Sequence, residues 1–90
     1  MPKFVVERNF PEPLDMKPDE AGREFAKQIQ SCNASLGAKW LFSFLSSDGK
    51  KLYCIDEAPD ADALREAARQ LNIPADVVTE VSDLRPEMFA

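Results

Sequence analysis

Histidine is absent from all 90 residues of the chain. That single gap excludes Ser-His-Asp and Cys-His catalysis, histidine-based zinc sites and histidine pH switching. Glycine is scarce as well. Gly22, Gly37 and Gly49 are too scattered to build a phosphate-cradling loop or a dinucleotide fingerprint. The formal net charge is −5 and no Lys/Arg cluster interrupts it, so no nucleic-acid partner is expected. No apolar run approaches the ~18 residues that a membrane span needs, and Met1-Pro2-Lys3-Phe4 lacks a signal-peptide core. No membrane partner is expected, and the cytoplasm is the expected compartment. Cys32 and Cys54 lie in apolar settings without CxxC spacing, which suits two reduced, buried thiols; one disulfide between them is the alternative. Asn33-Ala34-Ser35 matches a glycosylation sequon, which has no meaning without secretion.

Apolar residues make up 44% of the chain and charged residues 30%, which is globular composition and argues against wholesale disorder. Residues 1–90 are therefore expected to form a single domain, with 85–90 as a C-terminal tail. Lys3-Phe4-Val5-Val6-Glu7-Arg8 is rich in β-branched and aromatic residues and predicts a strand stopped by Asn9, Pro11 and Pro13. A loop follows over 9–17. Pro18 suits the first turn of a helix, and Phe25, Ile29, Cys32 and Leu36 form one apolar stripe that runs to Gly37. Lys39–Leu45 and Lys50–Ile55 flank Asp48-Gly49, which predicts a two-residue hairpin with a type I′ turn. Asp60 is a good N-cap for a second helix with Leu64, Ala68 and Leu71 inward and Ala67 beside them, stopped by Asn72-Ile73-Pro74. Val77–Val81 is the last strand. The order strand, helix, strand, strand, helix, strand with right-handed crossovers gives an α+β, ferredoxin-like βαββαβ arrangement. Its four-stranded antiparallel sheet carries two helices on one face.

Pairing outward from the hairpin sets Leu45 opposite Leu52, Phe44 opposite Tyr53, Ser43 opposite Cys54 and Phe42 opposite Ile55. Strict alternation then places Trp40, Phe42, Phe44, Tyr53, Ile55 and Glu57 on one face, joined by Val5, Glu7, Val78 and Glu80. Leu41, Ser43, Leu45, Leu52, Cys54 and Asp56 share the other with Phe4, Val6, Val77 and Val81; a bulge or a one-residue slip would invert this assignment. The larger, aromatic face is expected to be open, because the helices cover only one side. A second copy of the chain is the simplest cover for so large an apolar patch. The alternative places Trp40 and its neighbours in an ordinary core under the helices. Most carboxylates sit on helix surfaces. Glu7, Glu57 and Glu80 instead share the aromatic face, where a carboxylate beside Trp40 and Tyr53 would have a raised pKa and act as acid, base or hard-metal ligand. Their plain alternative is pairing with Arg8, Lys3 or water at the sheet ends.

Met1-Pro2-Lys3-Phe4-Val5-Val6-Glu7-Arg8, Ser31-Cys32, Trp40 with Ser43, Tyr53-Cys54, Ala58-Pro59-Asp60, Leu64-Arg65-Glu66 and Pro74-Ala75-Asp76 together span nearly the whole chain. As a set they resemble a family of small bacterial proteins labelled nickel-binding-protein-like. The resemblance implies a ferredoxin-like fold and a homodimer of the dimeric α/β barrel type. It also implies histidines where this chain has Phe42 and Ala67, and what carries over is Glu7, Trp40, Ser43 and Tyr53.

The expected function is that of a homodimeric binding or regulatory protein without cofactor or metal. Its small-molecule ligand would lie on the open sheet face against Glu7, Trp40, Phe42, Tyr53, Glu57 and Glu80. One alternative is a small cofactor-independent enzyme with Glu7 as acid or base. The other is a metal-binding protein of nickel type that uses Glu7, Glu57 and Glu80.

Overall fold

The computed structural model describes residues 1–89. Strand β1 (Lys3–Asn9) is followed by helix α1 (Glu20–Ser35), strands β2 (Lys39–Leu45) and β3 (Lys51–Glu57), helix α2 (Ala61–Leu71) and strand β4 (Val77–Val81). The strands form one antiparallel sheet in the order β2-β3-β1-β4. This is the expected ferredoxin-like arrangement. Of the expected tail, Pro86–Phe89 form one 3₁₀ turn, while Ala90 lies outside the described residues.

Both helices begin where an aspartate side chain takes an otherwise unbonded backbone N–H. Asp19 accepts from Gly22 N, so α1 starts after Asp19 and not at Pro18. Asp60 accepts from Ala63 N and caps α2 as the sequence predicts. Asn72 closes α2 in the left-handed conformation (φ 55°), which its short polar side chain tolerates. Between helices and sheet lie Phe4, Val6, Ala38, Cys54, Ala58 and, from α2, Leu64, a core of mostly small and medium side chains. Cys32 is half-buried, Cys54 is buried, and both are free thiols.

The hairpin register is as the sequence predicts from Leu45–Leu52 to Phe42–Ile55, but its turn is not type I′. That turn needs positive φ at both Asp48 and Gly49. Here only Gly49 has it (φ 75°), because Asp48 is held by bonds from Ser46 Oγ (2.7 Å) and Lys50 N (3.0 Å) to its Oδ1. The connection from 10 to 19 folds back on this turn: Phe10 N donates to Lys50 O and Leu14 N to Gly49 O, both at 2.8 Å.

Two departures from strict alternation reassign side chains. A bulge between Trp40 and Phe42 makes Leu41 an extra residue, so Trp40 stands opposite Asp56 on the helix-covered face. In β4 the register pairs Val78 with Val6 and Glu80 with Phe4. Val78 and Glu80 therefore share the helix side, and Val77 and Val81 the open side, the reverse of the predicted parity. β4 is an edge strand whose valines fall on both parities, so its pattern does not select a face.

Candidate functional site

The open face carries Phe42 and Phe44, which are 51% and 62% exposed and meet edge to face with ring centroids 5.5 Å apart. Across the sheet, Phe44, Tyr53, Glu7 and Val77 form one row. Glu7 thus sits in a central strand beside Tyr53, half-buried. Glu57 is four residues further along, opposite Lys3 and Lys39, roughly 13 Å from the Glu7 row at ~3.3 Å per residue. Of the six predicted site residues, the structure gathers Glu7, Phe42, Tyr53 and Glu57 on the open face. It separates Trp40 and Glu80 from them by the thickness of the sheet. The bulge accounts for Trp40 and the edge-strand register for Glu80. Among the described residues no three carboxylates, cysteines or histidines come together as a metal would require, so Glu7, Glu57 and Glu80 do not form a site.

The cavity lies on the other side. A partly open space of about 130 Å³ lies between the sheet, α1 and the 10–19 connection. Phe25, Ile29 and Asn33 of α1 form one wall, and Phe10, Leu14 and Met16 of the connection form another. The floor is Arg8 of β1, Trp40, Ser43 and Leu45 of β2, and Leu52, Cys54 and Asp56 of β3. The clasp of the connection on the hairpin turn holds the second wall in place.

Five polar side chains interrupt this apolar lining. Trp40 Nε1 donates to Ser43 Oγ at 2.8 Å, which fixes the indole over the floor. Arg8 is 7% exposed; its Nη1 donates to Pro74 O at 2.6 Å and its Nε reaches Cys54 Sγ at 3.5 Å. Asn33 is buried on α1. Asp56 is 2% exposed, and its Oδ1 has no hydrogen-bond partner. Burial pushes the Asp56 carboxyl up to about 6, against the opposing pull of the Arg8 guanidinium. An ionisable group that is buried, unsatisfied and next to a cavity is costly for a fold unless something else meets it. The sequence signal for Arg8 and Asp56 is their alternation: a base and an acid on the buried parity of the two central strands.

The fold and the cavity together define a class: a ferredoxin-like α+β protein with an interior pocket between sheet and helices. A family model described as nickel responsive protein, SCO4226-like, matches residues 4–81, and the chain belongs to that family. Among solved structures it is similar to the crystal structure of SCO4226 from Streptomyces coelicolor A3(2). That similarity has a TM-score of 0.74 at 13% identity and covers 92% of this chain and 99% of that one. At this identity the likeness establishes the fold. No curated protein matches the chain. The family description prompts a test of the donor set for nickel. The chain has no imidazole, and the described residues contain no cluster of three or more metal-ligating side chains, so they do not fit a nickel centre. No helix among the described residues is long and apolar enough to cross a membrane.

Proposed function

We propose that this protein binds a small molecule in the cavity beneath α1, and that it works as a homodimer of single-domain chains joined through the open sheet face. One observation carries the binding reading: a carboxylate with an unsatisfied oxygen, 2% exposed, on the floor of a largely apolar cavity. A purely structural core gains by replacing such a group with an apolar one. Retaining it is consistent with a ligand that satisfies it. The cavity of about 130 Å³ is close to the size that accommodates benzene in an engineered apolar cavity (roughly 150 Å³). The dimer reading rests on Phe42, Phe44 and Val77, which are 51%, 62% and 46% exposed on a face that neither helix covers.

Trp40 is the one tryptophan of the chain and lines the cavity, so its indole N–H gives a single, assignable NMR cross-peak. Fragment-sized apolar compounds should shift that peak in the wild type and not in Ile29→Phe, which fills the cavity. A wild-type peak that no compound moves would refute the binding reading. Native mass spectrometry tests the assembly: twice the chain mass supports it, and a monomer at micromolar concentration overturns it.

A further inference from the structure

We propose, building on the pocket reading above, that the cavity selects a neutral, compact, largely apolar molecule carrying a hydroxyl or N–H group that donates to the Asp56 carboxylate. Three observations lead there. The space of about 130 Å³ limits the ligand to roughly one six-membered ring with a small substituent. The lining carries two charged side chains, Arg8 and Asp56, which cancel formally. A cation or an anion would bring uncompensated charge into a poorly solvated space, whereas a neutral donor leaves the balance intact. Arg8 is already engaged with Pro74 O and Cys54 Sγ, while Asp56 lines the cavity with an Oδ1 that has no partner and almost no accessible surface; the unmet demand is for a donor, which meets that oxygen after a small rotation of the carboxyl. Trp40 supplies a flat aromatic surface whose own N–H is occupied by Ser43, which leaves its ring free to pack on a ring.

The same arrangement sets a pH dependence. The charged or titratable groups facing Asp56 across the cavity are Arg8 from β1 and Cys54 from its own strand. The lining residues of α1, of the 10–19 connection and of β2 contribute none. Protonation of Asp56 near pH 6 converts the acceptor into a competing donor, so affinity for a hydroxyl donor falls as pH drops through that value.

Phenol, toluene and cyclohexylammonium, matched in heavy-atom count, separate the possibilities when titrated against the Trp40 N–H cross-peak. Phenol should bind about tenfold or more tightly than toluene above pH 7, the effect of a hydrogen bond to a charged acceptor. That preference should fade as the pH is lowered through 6, whereas toluene affinity should stay level. Asp56→Leu should abolish the preference, and Asp56→Asn should keep part of it while removing its pH dependence. If Asp56→Leu fails to fold, the wild-type pH series and Asp56→Asn decide the matter. Equal affinity for phenol and toluene overturns this inference and leaves the pocket standing. Tightest binding by cyclohexylammonium also overturns it. No response to any of the three probes overturns both this inference and the pocket.

Discussion

Asp56 should make the folded protein less stable as pH rises, the opposite of the usual behaviour of a carboxylate. Its pKa is raised from 3.8 to about 6 because burial penalises the ionised form more than Arg8 favours it. Between those two values the folded chain binds more protons at this site than the unfolded chain does, so stability falls with rising pH and levels off above both. At about 1.4 kcal/mol for each tenfold difference in proton affinity, the full cost is on the order of 3 kcal/mol. That is a large share of the 5–15 kcal/mol typical of a small fold. Other shifted acids act mostly at lower pH and overlap the Asp56 window only at its acid end, near pH 4 to 5. Glu66 is held down to about 2, first by Arg69 and then by Gln70, and Asp48 and Asp83 are lowered by their own hydrogen bonds. Their contributions are present above their unfolded values and are lost in more acidic solution. Urea denaturation across pH 4 to 7.5 provides the assay. With a urea slope of about 1–2 kcal/mol/M, the wild-type midpoint should fall by roughly 1–3 M over that range. Asp56→Asn, which cannot ionise, should be nearly flat. A wild-type midpoint that rises over the same range, or a variant with the same slope as the wild type, would refute the account of Asp56 as a buried carboxylate unmet by the fold.

Phe42→Asp should give monomers or aggregates in light scattering, with a wild type that scatters as a dimer; a monomeric wild type would sink the sheet-face interface. Gly22→Ala should lower the melting temperature even though alanine is the better helix former by about 1 kcal/mol, because the added Cβ would lie 1.8 Å from Lys17 O. An unchanged or higher melting temperature would show that the turn before α1 yields easily. Calorimetry with nickel at neutral pH should find no one-to-one site of micromolar or tighter affinity, since the chain offers no imidazole. A saturable site of that strength would mean that groups distant from one another in this structure come together.

The element order was legible because most boundaries have a chemical marker: Pro18 close to the start of α1, Asp60 as the cap of α2, Gly49 in the turn, Asn72 at the end of α2. The hairpin register was legible too, as two β-rich runs around Asp48-Gly49 leave little freedom. The side of the sheet that Trp40 occupies was not. The run Lys39-Trp40-Leu41-Phe42-Ser43-Phe44-Leu45 contains no glycine or proline to announce an extra residue, and either Trp40 or Leu41 satisfies an apolar position. Glu80 was misplaced for a different reason. In an edge strand with valines at 77, 78 and 81, hydrophobic pattern alone does not choose between two registers. Alternation puts Asp56 on the helix-covered face, but a lone acid beside Leu52 and Cys54 carries no further signal in the sequence; only its missing partner in the fold marks it.

The bulge at Leu41 also affects how relatives of this chain are best aligned. Deleting Leu41 would leave Trp40 next to Phe42 in sequence and still opposite Asp56 in space, because the regular ladder beyond Phe42 already expects its next residue there. A relative without the extra residue would therefore keep its tryptophan over the cavity with the count to the following aromatic shortened by one. Sequence distance from this tryptophan is then an unsafe ruler across the family, and single-residue gaps belong at position 41. Equivalence is better judged by the cross-strand neighbour: whichever residue faces Asp56 is the counterpart of Trp40.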